Sequence, residues 1–335
     1  MIKLLSALAI ALALSVISFA GDTTQAVKGL SAAEAGKVPL YGHSIAIDKN
    51  VKDWAGTAPE EENTAVVNNG EYIWKDAAGD DKGDGNYTYP LSKALRKGAD
   101  LKEFRVTYDK DNLYFLIRTD HPGDWWTGYR IIGIHKEGAA DGMTLLAQGD
   151  PDEDDFDSGT FANLKVSPDL ACQYAVGISS TYKGRIWDSK GKIIARKEAQ
   201  PGDTPGFKIE DSNWDAVEVA IPWSLIGGNP ALSTGQIWKF IVASGQQDDD
   251  TARSVEEKAG ESHGGGGSAN AANPNVYDLA GSDKAAQEKE LGSYDPGAGQ
   301  GDPKGFATID KSYLTVNFPA IKPAGGGNPC PKSAD

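Results

Sequence analysis

One segment of the sequence, residues 75–90, combines acidic side chains with residues that form tight turns. It reads KDAAGDDKGDGNYTYP and carries Asp76, Asp80, Asp81, Asp84 and Asn86, with three glycines between them. Ca²⁺ takes about six to eight oxygen ligands from carboxylates, amides, carbonyls and water. The segment therefore predicts a calcium site with these five side chains as ligands, although it lacks the EF-hand spacing. A solvated acidic turn closed by Asx hydrogen bonds is the alternative.

A second segment, residues 121–129, combines aromatic and polar side chains in a turn. It reads HPGDWWTGY, and places Trp125 and Trp126 beside His121 and Asp124. Sugars stack their apolar ring face on an aromatic side chain, while nearby polar groups bind the hydroxyls. We therefore predict a carbohydrate-binding site at these four residues, with Trp187 as the next candidate. Packing of the indoles in the core is the competing interpretation.

Recognisable catalytic motifs are scarce in this chain. It has no H-E-x-x-H, P-loop or C-x-x-C-H motif, and its four histidines are scattered. We therefore expect no enzymatic activity, although a carboxylate pair for glycoside hydrolysis stays open in so acidic a chain. A haem b group would need axial ligands, for which Met143 with His121, His135 or a lysine is available. A methionine in such a position more often fills a gap in the core.

The first twenty residues have the pattern of a signal peptide. Lys3 precedes an apolar run over 4–19, and Ser18 and Ala20 fit cleavage before Gly21. Removing Lys3 leaves 32 basic against 48 acidic side chains, a net charge of −16. This charge argues against nucleic acid and anionic membranes as partners. We expect a secreted protein, extracellular, periplasmic or on the cell surface, with no membrane span in its mature form.

Short apolar segments with a period of two residues recur between turn residues. Segments 101–109 and 112–119 flank Lys110-Asp111 and predict a hairpin, and Val217, Val219 and Ile221 share one face of 214–222. Further strands are predicted at 44–48, 129–135, 143–149, 171–179, 184–188, 192–197, 237–245 and 313–318, and short helical segments at 222–227 and 284–294. This pattern favours an all-β, antiparallel, jelly-roll-like β-sandwich with long loops and short helices.

The chain divides into four predicted segments. These are a signal peptide (1–20), a flexible leader (21–40), a single β-sandwich domain (41–319) and a Gly/Pro-rich tail (320–335). Cys172 lies in the domain and Cys330 in the tail. In an oxidising compartment the two predict one disulfide.

Several motifs, in one order, resemble a known family. IAIDKNVKDWAG (45–56) resembles the opening of DOMON-like sandwiches, and residues 75–90 resemble the run DP-x-GDD-x-GxGxYxYP of the glucodextranase C-terminal domain. Ala77 and Asp84 depart from that run. DAVEVAIPWSLIG (215–227) and NVYDLAGSDKAAQEKELGSYD (275–295) continue the similarity, which spans about 45–318.

The resemblance implies a β-sandwich related to family-9 carbohydrate-binding modules, outside the cell and without catalysis of its own. Within the acidic segment it favours Asp76, Asp80 and Asp81 as calcium ligands. A related branch of the superfold binds haem b. We therefore expect an exported, calcium-stabilised module that binds polysaccharide or a surface glycan. The alternatives are a haem b electron-transfer module and a self-assembling surface or filament subunit.

Overall fold

The computed structural model describes residues 27–92, 98–120, 128–146, 163–178, 184–197, 206–212, 215–248, 251–252, 255–261, 265–267, 272, 274–298 and 302–321. The helices in these ranges are α1 (Ala32–Ala35) and α2 (Lys284–Leu291). The strands are β1 (Thr64–Asn68), β2 (Glu71–Lys75), β3 (Leu101–Tyr108), β4 (Asn112–Thr119), β5 (Gly128–Lys136), β6 (Leu164–Val166), β7 (Tyr174–Ile178), β8 (Gly184–Asp188), β9 (Ile193–Arg196), β10 (Lys208–Ser212), β11 (Ala216–Pro222), β12 (Gln236–Asp248), β13 (Thr251–Ala252), β14 (Val255–Glu256), β15 (Gly265–Gly266), β16 (Asp278–Leu279), β17 (Ala307–Ile309) and β18 (Leu314–Phe318).

One antiparallel sheet has the strand order β1-β2-β3-β4-β11-β10. In β4, Leu113, Phe115 and Ile117 enter the main core, whereas Tyr114 and Leu116 belong to a smaller cluster on the opposite face. Successive side chains of a strand point to opposite faces, so this strand is apolar on both sides. The predicted β3–β4 hairpin is present, with an antiparallel register along its length.

The second sheet follows the path β13-β12-β5-β7-β8-β9, and β16 and β18 also pair with β12. β12 is its longest strand and pairs antiparallel with β5, from Trp238 opposite Lys136 to Gln246 opposite Gly128. Its other edge is occupied by β18 near its start and by β16 further along. The short strand β16 is therefore held at one end of the second sheet.

Aromatic side chains join the two sheets face to face. Phe115 of the first sheet lies 5.5 Å, centroid to centroid, from Phe104 beside it and from Phe240 of the second sheet. Trp238 contacts Phe318 edge-on at 5.2 Å. Burying each such side chain stabilises the fold by about 1.5–3 kcal/mol. The predicted antiparallel β-sandwich is confirmed.

The outer face of the second sheet is covered as well. Ile131 of β5 and Ile241 of β12 pack in a second cluster with Leu291 of α2 and with residues of β6 and β17. β6 and β17 form a small parallel pair. This layer places α2, predicted within 284–294, against the end of the sandwich where β16 lies.

The leader predicted at 21–40 is structured over its described part. Leu30 forms a backbone bridge with Ala65, which extends the edge of β1. Ser31 caps α1 in a capping box, and Ala35 and Leu40 are fully buried in the main core. The predicted boundary at 41 is therefore corrected, because apolar side chains before it complete the sandwich.

Three local features differ from the predictions. The described part of 143–149 forms no strand and makes only isolated bridges, of Met143 with Cys172 and of Leu145 with Lys165. Residues 44–48 form no strand: Ile45 and Ile47 pack on the outer face of β4 and β11 without a backbone ladder. The β1–β2 hairpin was not predicted. Its two-residue loop is Asn69-Gly70, with φ of 48° and 77°. An Asn-Gly pair between apolar runs is a strong hairpin signal, because both residues tolerate positive φ.

Both ends of the chain lie outside the described residues, 1–26 at the start and 322–335 at the end. The signal peptide and most of the predicted tail therefore stay predictions. Among the described residues, no helix has the length and hydropathy needed to cross a membrane.

Candidate metal centre

Three carboxylates meet at one end of the sandwich. Asp76, Asp80 and Asp278 each offer an oxygen, and these atoms lie within 4.8 Å of one another. Asp76 directly follows β2, Asp80 lies in the loop after it, and Asp278 is the first residue of β16. We call these three residues the carboxylate trio. It combines ligands from both sheets.

Backbone hydrogen bonds attach Asp76 to the first sheet and Asp278 to the second. Asp76 continues the line of β2, because its amide donates to Lys102 O at 3.0 Å, and its Oδ1 accepts from Trp74 Nε1 at 2.6 Å. Asp278 lies opposite Ser244 of β12. Its Oδ2 accepts from the amide of Leu101, at the start of β3, at 2.7 Å. Asp278 therefore bridges the two sheets where they meet.

The side chain of Gln287, on α2, ties the acidic loop to β16. Its Oε1 accepts from Leu279 N at 2.7 Å, and its Nε2 donates to Asp80 O at 2.7 Å. Gln287 is almost fully buried. Gly83 N also donates to Tyr277 O at 2.9 Å. These bonds fix the backbone on either side of the trio.

The trio is buried, and two of its oxygens have no hydrogen-bond partner. Exposure is 3% for Asp76, 4% for Asp80 and 0% for Asp278. Asp76 Oδ2 and Asp80 Oδ1 accept no hydrogen bond. Leaving a polar group buried and unpaired costs about 1–3 kcal/mol, and more for a charged group. A cation between the three carboxylates would remove this cost.

Burial and mutual repulsion both disfavour the charged forms of these carboxyls. Burial, followed by the charge of Asp80, raises the pKa of Asp76 well above its usual range. Burial is also the main cause that raises the pKa of Asp80 to about 6, with Asp100 and Asp81 adding to it. The pKa of Asp278 is raised well above normal by burial and by Asp76 and Asp80. A bound divalent cation would favour the ionised forms.

The donor set indicates which cation fits. The trio offers carboxylate oxygens and no imidazole or thiolate, which selects hard cations over zinc or copper. The charge of Asp100 contributes to the raised pKa of all three carboxyls, so Asp100 adds negative charge near the trio. Ca²⁺ accepts such irregular sets of oxygens, whereas Mg²⁺ demands near-octahedral geometry. Within the described part of the chain, the trio is the group of acidic, His or Cys side chains that meets this geometry.

Two of the five predicted ligands belong to the trio, which also contains one residue that was not predicted. Asp76 and Asp80 belong to the trio. Asp81 is buried, but its carboxylate accepts from the Tyr89 hydroxyl. Asp84 is half-buried and Asn86 is exposed.

Asp84 Oδ1 accepts from the backbone amide of Asn86 at 3.3 Å. Asp81, Asp84 and Asn86 lie outside the trio, and their role as calcium ligands stays a prediction. The member of the trio that was not predicted is Asp278. Its signal was an aspartate between Tyr277 and Leu279, in an otherwise apolar stretch of the run 275–295.

Of the residues predicted to bind carbohydrate, the structure describes one, Trp187. His121, Asp124, Trp125 and Trp126 lie outside the described residues, so that site stays a prediction. Trp187 is only 3% exposed and packs in the outer cluster of the second sheet. Its indole offers no open face to a sugar. Its assignment as the next stacking candidate is corrected.

Met143, His135 and Cys172 are the described members of the predicted haem and disulfide sets, and all three are engaged in packing. Met143 is buried among apolar side chains of the outer cluster, and His135 Nδ1 lies 2.8 Å from Ala171 O. Cys172 is buried and has no disulfide partner among the described residues, and its Sγ donates to Leu170 O at 3.4 Å. Cys330 lies outside the described residues. The haem alternative and the disulfide stay predictions.

One comparison with known families matches most of the chain. A family model described as the C-terminal binding-module, SLH-like, of glucodextranase matches residues 72–302. The matched range contains all three residues of the trio. No curated protein matches the chain.

Proposed function

Because the chain belongs to the family of C-terminal, SLH-like binding modules of glucodextranase, we propose that it is an exported, non-catalytic module that binds glycan and is stabilised by calcium. The observation that carries the calcium part is the trio, with two buried oxygens that have no hydrogen-bond partner. The ligand of the module is a polysaccharide or a surface glycan, which suits a protein that acts outside the cell.

The role of calcium in this proposal is structural. Asp278 lies on β16, which pairs with the second sheet, and Asp76 follows β2 of the first sheet. A cation bound by both therefore joins the sheets at this end. It also holds the loop of Asp80 against α2. A ligand that binds only the folded state stabilises it by about 2.7 kcal/mol at a hundredfold excess over its dissociation constant.

The burial of the trio argues against a catalytic role for its three carboxylates. Catalytic carboxylates of glycosidases flank the scissile bond and must contact the substrate. The trio is at most 4% exposed, so a glycosidic bond cannot reach it. The run GESHG (260–264) has the G-x-S-x-G pattern, which in hydrolases needs a strand before it and a helix after it. Its neighbours β14 and β15 are two-residue strands, and the described residues 255–261 and 265–267 contain no helix.

Calcium and glycan binding can be tested on the mature protein in two steps. First, melting curves are recorded in chelator and in excess calcium, and we expect a higher melting temperature with calcium. Second, the calcium-loaded protein is applied to an array of neutral, acidic and amino-sugar glycans, and we expect retention on at least one class. Identical melting curves would refute the calcium site, and no retention on any glycan would refute the binding role.

The same preparation tests the two alternatives. A Soret band in the purified protein would favour the haem b module. Concentration-dependent light scattering without glycan would favour a self-assembling surface or filament subunit. We also expect no release of product from starch, dextran, xylan or chromogenic glycosides, and turnover abolished by changing a single carboxylate would refute the non-catalytic assignment.

A further inference from the structure

A cleft of about 530 Å³ lies directly beside the carboxylate trio. One wall is the acidic loop, with Ala78, Asp81 and Tyr89, and the other includes Asp100 and Lys102 at the start of β3. We call this cleft the Tyr89 pocket. Its volume falls in the range of roughly 300–1,000 Å³ that is usual for small-ligand sites.

The Tyr89 pocket alternates hydrogen-bond donors and acceptors. Lys102 Nζ donates to Asp100 Oδ2 at 2.5 Å, and Lys82 Nζ lies 3.9 Å from Asp81 Oδ1. With Asp120, the lining holds three carboxylates and two ammonium groups. Most of its charge is therefore compensated locally. Closely spaced donors and acceptors suit hydroxyl groups, which both donate and accept hydrogen bonds.

The same cleft has an apolar part. Tyr89, Pro90 and Leu91 line it, and Leu91 is 51% exposed. Tyr89 stacks on Tyr277 at 5.2 Å, and this contact holds its ring in place. A sugar ring needs such a combination, an apolar surface for its C–H face and polar groups for its hydroxyls. The chain's net charge of −15 disfavours anionic polymers.

The pocket and the trio share one short stretch of backbone. Asp80 is a member of the trio, while its neighbours Gly79 and Asp81 line the pocket. Gly79 N donates to the carboxylate of Asp100, at 3.1 Å to Oδ1 and 3.2 Å to Oδ2. A cation on Asp80 therefore holds the loop wall against the opposite wall of the pocket.

Two other clefts have no residue of the acidic loop in their lining. One of about 420 Å³ is lined mainly by apolar groups such as Ile45 and Phe207, and Asn112, Tyr114 and Lys208 provide its polar side-chain atoms. The other, about 510 Å³ beside His135, has no aromatic ring in its lining besides that imidazole. The first of these clefts also combines aromatic and polar groups, so the Tyr89 pocket is distinguished by its place beside the candidate metal.

We propose that the Tyr89 pocket binds a unit of a neutral oligosaccharide, and that sugar and calcium strengthen each other's binding. This inference rests on the proposed glycan-binding function and assigns that function to one site. Linkage requires the same coupling factor in both directions. Calcium should lower the dissociation constant of the sugar by a certain factor. The sugar should lower the dissociation constant of calcium by the same factor.

A matched pair of substitutions tests the location. Ala78 is exposed and lines the Tyr89 pocket, whereas Ala140 is exposed and lines the cleft beside His135. Ala78→Trp should fill the pocket without touching the trio, and Ala140→Trp places the same side chain at a distant cleft. We expect Ala78→Trp to weaken sugar binding by at least about tenfold, the loss of about 1.4 kcal/mol. Calcium affinity should be retained in both variants.

The measurement is isothermal titration with neutral α- and β-linked glucan heptasaccharides in calcium and in chelator, and with polygalacturonate in chelator only, because polygalacturonate itself binds calcium. Thermal melts confirm that both variants fold. We expect a neutral heptasaccharide to bind, and to bind about 5- to 150-fold more tightly with calcium. If the wild type binds and Ala78→Trp binds equally well, the pocket is refuted and the glycan-binding function stands. Equal affinity for the heptasaccharide in calcium and in chelator would refute the coupling. Tighter binding of polygalacturonate than of the neutral heptasaccharides would refute the assignment of a neutral ligand. Binding of no saccharide by the wild type would refute the function itself.

Discussion

Replacing Asp80 by Asn should have opposite effects on stability with and without calcium. Without a cation, the carboxyl is buried near other carboxylates, which raises its pKa from 3.8 to about 6. This rise in the pKa corresponds to about 3 kcal/mol of cost for the charged form at neutral pH. Solvent screening at the loop reduces this to about 1–2 kcal/mol. Asn removes the charge while keeping the shape, and Asp80 Oδ1 has no hydrogen bond to lose.

With calcium, the same change removes a charged ligand. Ligand charge count tunes the calcium affinity of protein sites over several decades, so we expect an affinity loss on the order of 100-fold. At a fixed, saturating calcium concentration, this loss lowers the stabilisation by about 2.7 kcal/mol. Subtracting the gain of about 1–2 kcal/mol from relieved repulsion leaves Asp80→Asn about 1–2 kcal/mol less stable than the wild type.

Thermal and urea unfolding in chelator and in calcium, with calorimetric calcium titration, measure these quantities. Asp84→Asn is the matched control, because Asp84 lies on the same loop outside the trio and is half-buried. We expect it to leave calcium affinity within about twofold, as for sites that do not couple. Equal destabilisation by Asp80→Asn in both conditions would refute a cation at the trio. Equal affinity losses in the two variants would instead place the site along the loop.

Three further predictions concern single side chains. Gln287→Leu should lower the free energy of unfolding, measured in urea. The expected loss is about 1–3 kcal/mol for each backbone group left buried and unpaired. An unchanged free energy would show that the bonds of Gln287 to Asp80 O and Leu279 N are dispensable. Cys172 should resist a thiol reagent until the protein unfolds, because it is buried and burial raises its pKa; a disulfide to Cys330 in a non-reducing peptide map would contradict a free thiol. Burial lowers the pKa of Lys136 from 10.5 to about 8, so its contribution to stability should rise with pH between those values. NMR titration of the ¹³C-methylated lysine tests this, and a pKa near 10.5 would refute the desolvation.

Local signals were sufficient for much of the sandwich. The β3–β4 hairpin follows from two alternating segments on either side of a short polar turn. Asp109 Oδ1 closes that turn by accepting from the amides of Asp111 and Asn112, both at 2.8 Å. The alternation of β11 and the polar helix α2 were also readable. These features depend on neighbours in sequence, so a single sequence contains their physical cause.

Alternation of apolar and polar residues predicted a strand at 44–48, where the backbone forms no ladder with a neighbouring strand. Ile45 and Ile47 alternate like a strand, yet they cover the outer face of the first sheet without a ladder. The prediction for Trp187 was wrong for a different reason. A tryptophan at the end of a strand can be exposed or buried, and the local sequence does not decide which. A layer formed with the distant strands β6 and β17 covers that face. Burial of a face depends on chain segments far away in sequence.

The sequence by itself determined that the chain is a turn-rich, antiparallel β-sandwich and that residues 75–90 concentrate carboxylates. Only the tertiary structure decided which carboxylates act together. β16 pairs with β12 and brings Asp278 to Asp76 and Asp80, whereas Asp81 lines the neighbouring pocket. The physical reason is that a metal site depends on distances between side-chain oxygens. Sheet pairing between strands far apart in the chain sets those distances, and composition within one loop does not.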